Sequence, residues 1–329
     1  MDIIYSALRL LTEPWALLAL VASFAFACEN HTDDWLLKRL GGNTEDIEQS
    51  DAVGTLVIIS GLFGFVVAFV FGLVAYFAPD KNMTVFIGKD LVTQATIIGM
   101  LEVTWLIPYL YAVNRTGALA AAPLFQSIPV IALFLGLGIF AEVPPMMHII
   151  GAGVIVCGGF LLNLTEVEGK WKVDKKTVGL MLLASTIITV ISFLFKDNAL
   201  EGNFVATAFW GGVGMFISSQ LILLNYRPYR QQFMKYAQNV DKRGITVQLV
   251  NEVVDMFAAL IQRLAVMIGP AVMTVEALNA YQPVFILIIS WFLGKNGSKS
   301  HAKELQGNKF LVKTSAIALI AIGTIFIAQ

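Results

Sequence analysis

Long apolar stretches alternate with short polar segments along the whole chain, and this pattern predicts membrane-spanning helices. A helix needs about 20 apolar residues to cross a bilayer, where every backbone N–H and C=O must be bonded within the chain. Ten stretches are suitable, at about 14–37, 53–78, 86–113, 117–140, 144–164, 177–196, 203–225, 245–268, 271–293 and 310–328. We therefore expect an all-α integral membrane protein with ten transmembrane helices.

The two halves of the chain repeat the same features in the same order. Pro129-Val130 corresponds to Pro283-Val284, and Ala22-Ser23 corresponds to Ala184-Ser185. Each unit has five predicted helices, an odd number, so the second unit enters the membrane from the opposite side, as in many secondary transporters. The connections are too short to hold another domain. We expect one transmembrane domain over 1–329, with repeats at about 1–165 and 177–329 joined by a linker at about 166–176.

Composition supports the membrane assignment and excludes other classes of protein. Hydrophobic residues make up 57% of the chain and charged residues 14%, whereas soluble domains carry about 25% charged residues. The mean hydropathy is +0.75. The net charge of −1 gives no basic field for nucleic acid, and Cys28 and Cys157, the only cysteines, both lie in apolar segments. We predict no nucleic-acid partner, no metal and no cofactor.

Several segments of the two halves carry a recognisable pattern. They are the segment 118–130, Phe140-Ala141-Glu142, the Gly-rich segment 149–162, Gly269-Pro270 and the segment 279–285. In these segments the chain resembles the EamA-domain branch of the drug/metabolite transporter (DMT) superfamily. The resemblance covers the whole chain. The sequence departs from the usual pattern at Ala141, where glycine is common.

The resemblance implies a secondary transporter that works by alternating access around a central cavity. The cavity would be lined by the first, third, fourth, sixth, eighth and ninth helices. Similar proteins move metabolites, amino acids, nucleotide sugars or cationic drugs, so the family does not define the solute.

Polar residues of the eighth segment share one helical face. Its polar side chains fall within an arc of about 120° at 100° per residue. They are Gln248, Asn251, Glu252, Asp255, Gln262 and Arg263. An ionised side chain at mid-membrane costs at least about 2.5–3.5 kcal/mol, so this stripe should face the bundle interior or water. Two interpretations stay open, a solute cavity and an interior structural network.

Further candidates for the cavity come from other segments. Glu102, Trp105 and Tyr109 share a face of the third segment, and polar residues accompany the prolines of the fourth and ninth segments. The residues that accompany these prolines are Gln126, Glu276, Asn279 and Tyr281. Three less certain candidates are Glu29, Asp33 and Trp210.

These residues predict an acidic cavity with aromatic walls. Such a cavity attracts a cationic or zwitterionic metabolite, amino acid or drug through Coulomb attraction and cation–π contacts. A buried carboxylate could also exchange a proton for the solute. Glu102 and Glu252 are the candidates for this proton coupling.

Two other functions are alternatives: a carboxylate-dependent intramembrane enzyme and a channel-like protein. The sequence has no hydrolase, zinc-protease or nucleotide-binding motif, so we expect a protein that is not an enzyme and transport that is not driven by ATP. The partners predicted are a small solute, protons and the lipid bilayer.

Basic residues are unequally divided between the two predicted faces of the membrane. The connections after the odd-numbered helices hold 17 Lys and Arg residues, and the opposite face holds only Arg9, Lys81, Lys89 and Lys196. Because positive loops stay in the cytoplasm, we predict non-cytoplasmic termini in a plasma or inner membrane. Many similar proteins have the opposite orientation.

Overall fold

The computed structural model describes residues 12–40, 51–78, 80, 83–116, 121–164, 175–240, 242–294 and 308–328, and within these residues all regular secondary structure is helical. The first half contains α1 (Pro14–Leu40), α2 (Asp51–Phe77), α3 (Lys89–Thr116), a 3-10 helix (Ala122–Ser127), α4 (Ile128–Leu135), a π-helix (Gly136–Phe140) and α5 (Met146–Leu164). The second half contains α6 (Lys175–Glu201), α7 (Phe204–Asn225), α8 (Arg227–Asn239), α9 (Lys242–Ile268), α10 (Val272–Leu278), a 3-10 turn (Asn279–Tyr281), α11 (Gln282–Gly294) and α12 (Asn308–Ile327).

Five of the described helices are long and apolar enough to cross a membrane: α2 from Val53, α3, α6, α7 and α9. Shorter apolar helical stretches cover Pro14–Asn30, Leu124–Phe140, Met146–Leu161 and Thr314–Ile327. These features make the chain a multi-pass helical membrane protein.

The fourth and ninth predicted helices are interrupted rather than continuous. In each, a 3-10 segment runs up to the residues just before a proline, Pro129 in the first half and Pro283 in the second. Proline lacks a backbone N–H and clashes with the preceding turn, so the α-helix restarts with the proline in its first turn.

Ala141 ends the π-helix in the left-handed region, with φ of 52°. The Glu142 N–H donates to the Gly136 carbonyl at 2.9 Å and closes this turn. Glycine adopts this backbone conformation without the steric cost that a Cβ brings. Alanine is therefore strained at the position where the sequence departs from the pattern that it resembles.

Helices from the two halves pack on one another in pairs. α2 packs along α7, α5 along α12, α1 along α9 and α3 along α6, and α4 contacts α10. Glycines bring two of these pairs into backbone contact: Gly64 faces Gly212 between α2 and α7, and Gly151 faces Gly323 between α5 and α12.

The polar segment after α7, which is not among the ten predicted helices, forms the amphipathic helix α8. It packs against α2, where the Gly54 N–H donates to the Gln232 side chain at 2.9 Å. The Tyr229 hydroxyl donates to the Tyr111 hydroxyl at 3.2 Å and so attaches α8 to α3.

Candidate functional site

A central cavity of about 180 Å³ lies between the helices of the two halves. Side chains from α1, α3, α6, α9 and the two interrupted helices line it. α2 and α7 line it as well, through Ser60, Phe63 and Met215 among others. The cavity is therefore enclosed by more elements than we expected.

The polar stripe of α9 faces the bundle interior. Gln248, Asn251, Glu252, Gln262 and Arg263 are each between 2% and 7% exposed. Four members of the stripe line the central cavity: Glu252, Asp255, Gln262 and Arg263. The other two, Gln248 and Asn251, line a smaller adjoining pocket of about 20 Å³. The stripe thus contributes both to the cavity and to a structural network.

Arg263 joins three helices in one half of the cavity. Its Nη2 lies 2.6 Å from the Glu102 Oε1 of α3, and its Nη1 donates to the Ser192 Oγ of α6 at 2.9 Å. The Ser192 hydroxyl donates in turn to Glu276 at 2.9 Å, and the Asn279 amide donates to the same carboxylate at 2.7 Å. Glu102 and Glu276 therefore share a single guanidinium.

Three carboxyl groups form the other half of the cavity: Glu29, Glu252 and Asp255. The carboxyls of Glu29 and Asp255 are hydrogen-bond neighbours. The Ser60 hydroxyl and the Gln248 amide donate to Glu252 at 2.8 and 2.6 Å. No Lys or Arg of the described residues lies within ion-pair distance of these three groups. We call this set the acidic trio.

Asp33 lies next to the acidic trio in the adjoining pocket, together with Asn251. The Asn251 amide donates to Asp33 at 2.8 Å, and the Tyr109 hydroxyl reaches Asp33 at 3.4 Å and Asn30 at 3.1 Å. Asp33 and Asn251 thus support the cavity from behind rather than line it.

Aromatic rings form the wall beside the acidic trio. The ring centroids of Trp105 and Tyr109 are 5.4 Å apart, and Phe125 lies 5.4 Å from Tyr109 on the other side. The Trp105 Nε1–H donates to Glu102 at 3.1 Å. This bond fixes the indole between the two halves of the cavity. Aromatic faces next to carboxylates are the surroundings in which organic cations bind.

Tyr281 and Trp210 do not line the cavity. The Tyr281 hydroxyl lies 2.8 Å from the Thr324 hydroxyl of α12. The Trp210 Nε1–H donates to the Val85 carbonyl at 2.9 Å, near the start of α3. Both polar aromatic groups therefore join neighbouring segments of the protein. Gln126 and Asn279 do line the cavity.

No protein-family profile matches the chain, and no curated protein matches it. Solved structures do match. One, described only as "Crystal structure of protein", is 15% identical and aligns with a TM-score of 0.60 over 98% of this chain and 95% of its own. This likeness shows a shared fold across the whole chain.

Sequence reasoning missed Ser60 and Ser192, whose hydroxyls donate hydrogen bonds to carboxylates in the two halves of the cavity, Glu252 and Glu276. Each serine lies in a stretch free of charged residues, and its position there was the available indication. Ser192 is fully buried and Ser60 is 8% exposed. Among the described residues, no group of three or more His, Cys, Asp or Glu side chains is arranged to hold a metal ion.

Proposed function

We propose that the protein is a secondary transporter of the EamA/DMT type that moves a cationic or zwitterionic solute by alternating access. The observation that supports this function best is the acidic trio beside the Trp105–Tyr109 wall in the central cavity. Buried carboxyl groups without a basic partner are costly within a membrane, and they mark solute or ion pathways. A cation in the cavity would supply the missing positive charge.

The packing of the two halves supports ten spans arranged as two inverted repeats. In such a repeat α1 corresponds to α6, and α3 corresponds to α9. The pair α1–α9 is therefore equivalent to the pair α6–α3, and both pairs pack in the structure. The pairs α2 with α7 and α5 with α12 map onto themselves, and so do their facing glycines. Rocking of one repeat against the other about a central site is the alternating access that such folds support.

Proton coupling in this proposal involves Glu29 and Asp255 together with Glu252. An ionised carboxylate only accepts hydrogen bonds, so the contact between Glu29 and Asp255 holds a proton that a cationic solute would displace. Asp33, Glu102, Tyr109 and Arg263 are the other charged or titratable groups facing this pair. The guanidinium of Arg263 already neutralises Glu102, so Glu102 is the weaker of our two initial candidates.

The orientation proposed from the distribution of basic residues assigns α8 to the cytoplasmic side. Its Arg227 and Arg230 would then lie at the cytoplasmic surface of a plasma or inner membrane. The termini would be non-cytoplasmic.

A thermal-shift screen of the detergent-purified full chain tests the proposed solute class. Organic ammonium ions, amino acids, sugars and carboxylates are compared, because a ligand that binds only the native state raises the apparent stability. We expect ammonium ions or amino acids to stabilise the protein, and Asp255→Asn and Glu252→Gln to remove that shift. Glu201→Gln, which changes an exposed carboxylate, is the control and should leave it unchanged. Stabilisation by sugars or carboxylates alone would refute the proposed solute class.

A further inference from the structure

Arg263 is the one basic side chain among the described residues that line the cavity, which also holds five carboxyl groups. They are Glu29, Glu102, Glu252, Asp255 and Glu276. Arg263 and Asp255 are eight residues apart on α9, so their Cα atoms are separated by about 12 Å along the helix axis. The carboxylates therefore form two anionic positions, and Arg263 occupies the one that is built from Glu102 and Glu276.

The guanidinium is held as a bound organic cation would be held. It bonds to one carboxylate directly and to the other through Ser192, and it lies over the Phe195 ring at 5.8 Å from the centroid. Its side chain is buried, and in the part of the chain that the structure describes its Nε–H has no hydrogen-bond partner. Most buried side-chain donors in proteins have a partner, so the unsatisfied Nε–H sets this guanidinium apart from one that is fixed only for structure.

We propose that Arg263 selects solutes by their charge. Its guanidinium occupies the second anionic position, as a cation that the protein itself supplies, and so limits the carrier to solutes with a single cationic centre. This inference rests on the proposed function. The solute's cationic group binds at the acidic trio, and a second cationic group at the far end of the same solute would meet the guanidinium. Like charges in such a desolvated site repel strongly, so linear diamines and polyamines are rejected.

Two probes of equal chain length measure this selectivity, hexylammonium and hexamethylenediammonium. Their dissociation constants are determined by calorimetry on the purified full chain. We expect the unmodified protein to prefer hexylammonium. In Arg263→Met the second position has two free carboxylates, and we expect the affinity ratio to shift toward the diammonium ion by at least about tenfold, the effect of one buried charge contact.

Matched variants separate charge from structure. Arg263→Met combined with Glu102→Gln removes both charges of the ion pair and restores the net charge of this position, so the preference for hexylammonium should return. Glu102→Gln alone leaves the guanidinium less neutralised and should shift the ratio further toward hexylammonium, which tests the idea even if Arg263→Met fails to fold. Lys196→Met removes a cation paired with Glu142 outside the cavity and should leave the ratio unchanged.

The possible results distinguish the two proposals. An unchanged ratio in Glu102→Gln and in Arg263→Met, with hexylammonium still bound, would overturn the role of Arg263 alone. If neither ammonium ion nor any other cation binds the unmodified protein, the proposed solute class fails first. A ratio that follows the charge of the second position in both directions supports the inference.

Discussion

The contact between α5 and α12 gives a quantitative test of the packing. A Cβ added at Gly151 would lie 2.6 Å from the Gly323 carbonyl oxygen, about 0.8 Å closer than ordinary van der Waals contact. Overpacking of this kind costs about 1–3 kcal/mol. Gly153 lies on the same helix, and a Cβ there meets nothing within 4 Å. Both Gly→Ala changes gain the same helix propensity, about 0.5–1 kcal/mol.

The difference in the free energy of unfolding between Gly151→Ala and Gly153→Ala therefore reports the cost of the close contact alone, because the gain in helix propensity cancels. We expect Gly151→Ala to be less stable than Gly153→Ala by about 1–3 kcal/mol, measured as the free energy of unfolding in an SDS titration of micellar protein. Because Gly151 and Gly323 face each other, the Gly151→Ala/Gly323→Ala double variant should cost less than the sum of the single changes. Equal stability of Gly151→Ala and Gly153→Ala would refute the backbone contact between α5 and α12.

Three further changes test local features by the same titration or by thermal unfolding. Ala141→Gly should raise the stability by up to about 1 kcal/mol, because it relieves the left-handed backbone at φ of 52°; a loss of stability would contradict this. Asn203→Ala should cost about 1–2 kcal/mol, because the Asn203 side chain accepts from the Ala206 N–H at 2.7 Å as the cap of α7 and donates to the Thr84 carbonyl at 3.0 Å; Asn203→Ser should restore the part that is due to the cap. Tyr229→Phe should cost about 1 kcal/mol at neutral pH through the lost bond to Tyr111. Burial raises the pKa of Tyr229 above its ordinary value, so this stabilisation is present below the unfolded pKa of about 10 and is lost as the pH rises further. A stability difference between the unmodified protein and Tyr229→Phe that does not narrow at alkaline pH would contradict the burial of this hydroxyl.

The helical fold and the polar stripe of α9 could be predicted from periodicity alone. The stripe has the width of one helical face, and the cost of exposing Glu252 or Arg263 to lipid leaves only an interior position for them. The two interrupted helices likewise change geometry next to a proline, Pro129 or Pro283. These features depend on the local sequence, which is why the pattern was sufficient.

The partners of each polar group could not be predicted, because they depend on how distant helices cross. Arg263 pairs with Glu102, a residue 161 positions away, and the sequence offered several other carboxylates. Tyr281 was expected in the cavity for its aromatic ring, but five residues at 100° each turn it about 140° away from Glu276, and its hydroxyl lies beside Thr324 instead. α8 was missed because its polar residues resemble those of a loop.

Solute counterflow in proteoliposomes tests the central claim of secondary transport most directly. Vesicles containing the purified protein are loaded with an excess of the ammonium ion or amino acid that gives the largest thermal shift, and labelled solute is then added outside without ATP. We predict transient accumulation of the label that saturates with concentration and disappears in Asp255→Asn but persists in Glu201→Gln. Flux that rises linearly without saturation or accumulation, or no flux of a solute that binds, would contradict a transporter that works by alternating access.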